Sequence, residues 1–191
     1  MPVEVADGIH FARDETHRSY DAAAAHDFWR ALTQASRVLE IFRGRYIGKV
    51  SPVHFFWGSF DLACTRFNGA RAPQHPGGVP GLADWVTREA YSHACISAGW
   101  WPGAIGSPVE EPVFYAYAYP EPNGCPTAAI APAEGAYDET MHEWILPYEA
   151  VRTASDPDAM ALEFFQSTYA AAASLGGWDR AALERGGANN P

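Results

Sequence analysis

The sequence is poor in positive charge. Of its 191 residues, 13 are Lys or Arg and 23 are Asp or Glu, which gives a formal net charge of −10, and Lys49 is the only lysine. Proteins that bind nucleic acid or anionic membrane surfaces present clustered basic residues to phosphate groups. The charge balance therefore argues against a nucleic-acid partner and against a membrane surface as a partner.

Cysteine is also scarce. Cys64, Cys95 and Cys125 are odd in number and form no CxxC pair, so neither a disulfide framework nor a thiolate zinc cluster is expected. No apolar run approaches the roughly eighteen residues of a membrane-spanning helix. The first residues lack the basic and then apolar pattern of a signal peptide. Together these absences favour a cytoplasmic protein.

Apolar and aromatic residues, by contrast, are plentiful. Hydrophobic residues make up 48% of the chain and aromatic residues 14%. A chain of this length and composition can bury a core without disulfides or metal ions. We expect a single globular domain over residues 1–191, in which residues 1–18 and 186–191 are peripheral or disordered.

Periodicity and capping residues predict two long helices. Between residues 21 and 43 apolar side chains recur at steps of three and four, and Asp21 is placed to cap the first turn. Asp156 followed by Pro157 predicts the start of a second helix, which runs to about Leu175. Both helices are expected to pack against a sheet.

Segments rich in aromatic and β-branched residues predict the strands. The segments are 51–67, with a break at Gly58, then 89–101, 113–119 and 139–146. The fold class that follows is α+β, with a mostly antiparallel sheet of about four to five strands packed against two long helices.

The stretch 51–67 is where we look first for chemistry. Polar side chains in such an apolar run need partners, because burial without one costs about 1–3 kcal/mol per group. Asp61 is either the buried anchor of a hydrogen-bond network or a site residue with a shifted pKa. His54 is either a satisfied core histidine or a site residue. A regular strand places the two on opposite faces, and one bulge residue places them on the same face.

An enzyme is the first functional hypothesis. A histidine oriented by a carboxylate can act as a general base, and a set of histidines and carboxylates can hold a metal ion with an open position. No diagnostic spacing such as HExxH or GxSxG is present, and the sequence identifies no cofactor. The catalytic candidates are His54, Asp61, Glu89 and His93, and a metal, if one is bound, would be held by His54, Glu89 and His93.

Two other hypotheses remain open. A binding module would use aromatic side chains to line a pocket for a small molecule. A structural or interaction domain would use the same polar residues as a buried network that holds the sheet. An accessible cavity beside the polar residues would favour the enzyme or the binding module, and a dry network would favour the structural domain. The ligand-binding candidates are Trp57, Arg66, Tyr91, Tyr115 and Tyr117.

Consecutive segments of the chain resemble a known family. They lie between about Ser19 and Leu183 and include YDAAAAHDFWRAL, YIGKVSPVHFFWGSFDLACTRFNG, RAPQHPGG, WVTREAYSH, FYAYAYPEP and LPYEAVRTASDPDAMALEFFQSTYAAAA. These segments look like the uncharacterised bacterial domain of unknown function family 5996. The resemblance implies that this chain corresponds to the C-terminal part of family members. It implies no activity and no catalytic residues.

Overall fold

The computed structural model describes residues 11–16, 18–79 and 82–185. Within them the strands are β1 (His54–Phe56), β2 (Asp61–Arg71), β3 (His93–Trp101), β4 (Val113–Tyr119), β5 (Ala136–Asp138) and β6 (Glu143–Pro147). The helices are α1 (Ala22–Gly44), α2 (Asp84–Ala90), α3 (Tyr148–Arg152), α4 (Pro157–Leu175) and α5 (Arg180–Leu183), and there are 3-10 turns at Phe11–Arg13 and Cys125–Thr127.

The six strands form one antiparallel sheet in the order β1-β2-β3-β4-β6-β5. The predicted α+β class is confirmed, and the sheet is slightly larger than expected because an additional short strand, β5, precedes the last predicted one. No helix in the described part of the chain is long and apolar enough to cross a membrane. Of residues 1–18 and 186–191, expected to be peripheral or disordered, residues 1–10, 17 and 186–191 lie outside the described ranges.

Both long helices begin where their capping residues predict. The Asp21 carboxylate accepts hydrogen bonds from the backbone N–H groups of Ala23 and Ala24 at 2.8 and 2.9 Å. The Asp156 carboxylate accepts from the backbone N–H of Ala159 at 3.0 Å. These bonds satisfy donors that the first turn of a helix leaves free, so α1 and α4 start as the sequence predicts.

The core lies between these two helices and one face of the sheet. The even-numbered side chains of β2, β3 and β4 point toward the helices, because side chains alternate between the faces of a strand. They meet the apolar stripe of α1 and the inner face of α4. Buried members of this core include Leu39, Phe42, Cys64, Ile96, Trp100, Phe114, Trp144, Phe164, Phe165 and Tyr169.

The stretch 51–67 contains a hairpin of two strands, where a bulge or bend at Gly58 was predicted. The chain does break at Gly58, but there it reverses direction through residues 57–60, and Phe60 closes the turn with a φ of 63°. In the resulting pair, His54 lies opposite Ala63. Since Ala63 and Asp61 share a face of β2, the hairpin places His54 and Asp61 on the same face of the sheet.

Two other strand boundaries differ from the prediction. Glu89 belongs to α2, and β3 begins only at His93, so residues 89–92 are not strand. The segment 139–146 turns at its start, where His142 has a φ of 57°, and contributes β6, while β5 precedes it. In both cases a turn interrupts an apolar segment that was expected to be continuous.

Candidate ligand-binding site

The sheet face that points away from α1 and α4 carries a cavity of about 810 Å³. Small side chains of the two central strands border it, among them Ala63 and Thr65 of β2 and Cys95 and Ser97 of β3. Thr65 lies opposite Ser97 in the strand pair, and their hydroxyl oxygens are 2.9 Å apart. Because these side chains are small, the middle of the sheet leaves room for a ligand.

The small side chains of β2 and β3 form the floor of the cavity, and three other parts of the chain enclose it. The β1–β2 hairpin contributes His54 and Phe56, and β4 contributes Tyr115 and Tyr117. The helix α2 and the segment before it contribute further apolar side chains. Those that border the cavity are Val79, Leu82, Val86 and Ala90.

Asp61 is held in place by two neutral donors. The hydroxyl of Tyr115 donates to Asp61 Oδ2 at 2.5 Å, and the hydroxyl of Ser59 donates to Asp61 Oδ1. Both donors also border the cavity. The carboxylate therefore has a fixed orientation at the cavity wall, and its remaining lone pairs are available to a ligand.

The tyrosines form a connected group next to Asp61. The rings of Tyr115 and Tyr117 are stacked with centroids 6.2 Å apart and an interplanar angle of 9°. The hydroxyl of Tyr91 donates to the hydroxyl of Tyr117 at 3.0 Å, and the His75 ring stacks on Tyr91 at 4.9 Å. Burial raises the pKa of Tyr115 and of Tyr117 well above 10, so both phenols remain protonated and neutral.

Glu143 adds a second acidic group near this wall. Burial, followed by repulsion from Asp61 and Asp138, raises the pKa of the Glu143 carboxyl to about 7. Neither Asp61 nor Glu143 forms an ion pair with another described residue. No described Lys or Arg borders the cavity. The site is therefore acidic and aromatic.

Comparison with known proteins identifies the family of the chain. The model of a family of unknown function, DUF5996, matches residues 1–185. The chain belongs to DUF5996. No curated protein and no solved structure matches it.

In this member of DUF5996 the cavity gathers part of the candidate set. His54, Asp61, Tyr91, Tyr115 and Tyr117 all border it. The hairpin turn and the odd-numbered positions of β2 and β4 bring most of them to one face. Tyr91 joins them from the turn that follows α2.

Two of the catalytic candidates lie elsewhere. Glu89 is exposed on α2, and His93 starts β3, with its Nδ1 3.1 Å from the hydroxyl oxygen of Ser92. Among the described residues no three His, Cys, Asp or Glu side chains lie close enough together to hold a metal ion. His54, Glu89 and His93 therefore do not form the metal site considered from the sequence.

Two of the aromatic or basic candidates also lie away from the cavity. Trp57 is half exposed in the hairpin turn. Arg66 is fully buried on the helix face, with its guanidinium carbon 3.5 Å from the ring centroid of Phe42 and 4.2 Å from that of Tyr169. Its Nη2 donates to the backbone oxygen of Phe42. Arg66 is thus a core residue in this DUF5996 structure.

Glu143 and the small residues of the cavity floor were not among the residues predicted from the sequence. Glu143 follows a turn that was predicted to be part of a strand, so its face was not assigned. The cavity floor could have been predicted from the sequence, since the odd-numbered positions 63, 65, 95, 97 and 99 are all small or polar. On neighbouring strands such positions leave a depression that a bulkier strand, here the tyrosine face of β4, can wall off.

Proposed function

We propose that this protein binds a small organic molecule in the cavity between the sheet and α2. The observation that carries the proposal is the cavity of about 810 Å³, which has a largely apolar lining and a limited number of polar groups. Ligand pockets in proteins are typically of about 300–1,000 Å³ and have this kind of lining. The size would accommodate a molecule with one or two rings.

The polar groups support binding rather than a purely structural network. Asp61 is oriented by Tyr115 and Ser59, yet it borders an accessible cavity. A carboxylate fixed in this way needs little reorganisation when a ligand arrives, which is how binding sites gain affinity. A dry network that only stabilised the sheet would leave no such space beside it.

Acid–base catalysis is a second candidate function. His54 and Asp61 both border the cavity, and a histidine and a carboxylate that face the same ligand can move a proton on it. A ligand found by binding experiments would be tested for turnover, with His54→Ala expected to abolish turnover but not binding. We also expect the protein to act in a reducing cytoplasm, because all three of its cysteines are unpaired.

A fragment screen by ligand-detected NMR tests the proposal. Ala63→Leu adds apolar atoms to the cavity floor, and Ala136→Leu makes the same change at an exposed position of β5. Fragments that bind the wild-type protein are expected to lose binding to Ala63→Leu and to keep it with Ala136→Leu. Equal binding to all three proteins, or no binding to the wild-type protein, would overturn the proposal.

A further inference from the structure

We infer that the ligand is an organic cation, an ammonium or guanidinium group attached to an apolar body, whose positive charge lies next to Asp61. The inference rests on the proposed function, since it names the class of molecule that the same cavity takes. Three features carry it: a carboxylate without a cationic partner, aromatic faces beside it, and a second acid close by.

The charge of Asp61 is not balanced within the described protein. Its two hydrogen bonds come from neutral hydroxyls, those of Ser59 and Tyr115. Arg66, the cation nearest in sequence, lies on the other face of β2 and is buried among the rings of the helix layer. A carboxylate accepts about four hydrogen bonds, so its free positions suit the N–H donors of a cation.

The aromatic side chains suit the same charge. The faces of aromatic rings are negative and attract ammonium and guanidinium groups that lie within about 6 Å of the ring centroid. Tyr115 and Tyr117 form a parallel stack at one wall, and Phe56 borders the cavity from the hairpin. The lining side chains from α2 and the segment before it, Val79, Leu82, Val86 and Ala90, are apolar and suit the body of the ligand.

The surrounding charges disfavour an anion. Burial and then repulsion from the Asp61 carboxylate raise the pKa of Glu143, so a further negative charge beside these two groups is unfavourable. His54 is the one described lining side chain that can carry positive charge, and it is exposed on β1, where its ring packs against Phe56. An acidic site on a protein with a net charge of −10 attracts cations and repels anions.

Matched triplets of probes test the inference. Each triplet keeps one apolar body, such as benzyl, naphthylmethyl or biphenylmethyl, and carries an ammonium, a hydroxyl or a carboxylate group. Dissociation constants are measured by NMR titration at about pH 8, above the pKa of Glu143 at about 7. The ammonium member is expected to bind about tenfold or more tightly than the alcohol, and the carboxylate least tightly.

Two variants test whether the charge of Asp61 causes the preference for ammonium over alcohol. Asp61→Asn keeps the shape of the side chain and removes its charge, so the preference for ammonium over alcohol is expected to fall to within about twofold. Asp27→Asn makes the same change in net charge at an exposed position of α1, on the other side of the sheet, and is expected to keep the preference. The wild-type comparison of head groups stands by itself if Asp61→Asn does not fold.

The outcomes separate this inference from the proposed function. Alcohols that bind as tightly as amines, or carboxylates that bind more tightly, would overturn the inference, while their loss in Ala63→Leu would still support a ligand-binding cavity. A preference for amines that survives in Asp61→Asn would also overturn the inference. Absence of binding by every triplet, with no fragment excluded by Ala63→Leu, would overturn both.

Discussion

Tyr115 of β4 crosses the neighbouring strand β3 to donate a hydrogen bond to Asp61 of β2, with 2.5 Å between its hydroxyl oxygen and Asp61 Oδ2. The crossing passes over Gly99, which pairs with Tyr115 on one side and with Ala63 on the other. A Cβ atom at Gly99 would lie 2.6 Å from the Tyr115 hydroxyl oxygen. The orientation of the Asp61 carboxylate thus depends on a glycine, which has no Cβ atom, in the strand between the two residues.

Gly99→Ala is therefore expected to destabilise the protein by about 2–4 kcal/mol. The added methyl group would meet the backbone oxygen of Leu62 at 2.4 Å as well as the Tyr115 ring, and neither contact is relieved by a simple side-chain rotation. Urea unfolding gives the free-energy change. Gly44→Ala is the control, because a Cβ at Gly44 meets nothing within 4 Å. Equal stability of the two variants would contradict the close approach of Leu62 and Tyr115 to Gly99.

Asp61→Ala is expected to lower the free energy of unfolding by more than about 2 kcal/mol, because the buried hydroxyl of Tyr115 loses its acceptor. Tyr115→Phe removes the donor instead and should cost about 1 kcal/mol. If the two residues act through their mutual bond, the double variant loses less than the sum of the single losses, by about 0.5 kcal/mol or more. Strictly additive losses, or an Asp61→Ala protein with unchanged thermal stability, would rule out this role for Asp61.

Arg66 provides a test of how the core tolerates a buried charge. Its Nε and Nη1 atoms have no hydrogen-bond partner among the described residues, and burial lowers its pKa to about 10. Arg66→Met keeps most of the volume and removes the charge, so its stability is expected within about 1 kcal/mol of the wild type or above it. Arg66→Ala leaves a cavity among the rings of Phe42, Tyr46 and Tyr169 and should cost about 3 kcal/mol or more.

The comparison of the two Arg66 variants distinguishes the effect of the volume that the side chain fills from the effect of the attraction between its guanidinium group and the rings. Chemical unfolding of both proteins gives the two free energies under the same conditions. A Met variant as unstable as the Ala variant would mean that the attraction between the guanidinium group and the rings, and not the filled volume, stabilises this part of the core.

The raised pKa of Glu143 is expected to make the stability of the protein depend on pH. Its pKa is raised from 4.5 to about 7 in the folded protein, by burial and then by repulsion from Asp61 and Asp138. Between these two values the folded state binds more protons than the unfolded state, so this group makes folding less favourable as pH rises through the interval. The loss is of the order of 3 kcal/mol and is complete above the folded pKa.

The variant Glu143→Gln isolates this contribution. It cannot ionise, so its stability relative to the wild type is expected to rise between about pH 5 and about pH 8, as measured by urea unfolding at several pH values. Glu139→Gln removes a charge at an exposed position in the adjacent turn and serves as the matched control. A difference between Glu143→Gln and wild type that does not change with pH would show that Glu143 is not protonated in the folded protein.

Local patterns were sufficient for the parts of the fold that local interactions form. Asp21 and Asp156 cap helices whose apolar residues repeat at helical spacing, and both helices begin at these residues. The alternation of tyrosine and alanine from Val113 to Tyr119 gave β4 with its observed bounds. In each case the contacts involved lie within a few residues of one another, so the sequence of the segment alone determines the structure.

The site, by contrast, was decided by the tertiary structure. The hairpin turn at residues 57–60 brings His54 to the face of Asp61, while strand alternation takes Arg66 to the other face and the end of α2 keeps Glu89 away. The register of β3 against β2 and β4 then places Gly99 where Tyr115 can cross it. A shift of one residue in any of these pairings would exchange the two faces of a strand. The sequence by itself determined which residues are polar, aromatic or small, and the pairing of distant strands decided which of them share a cavity.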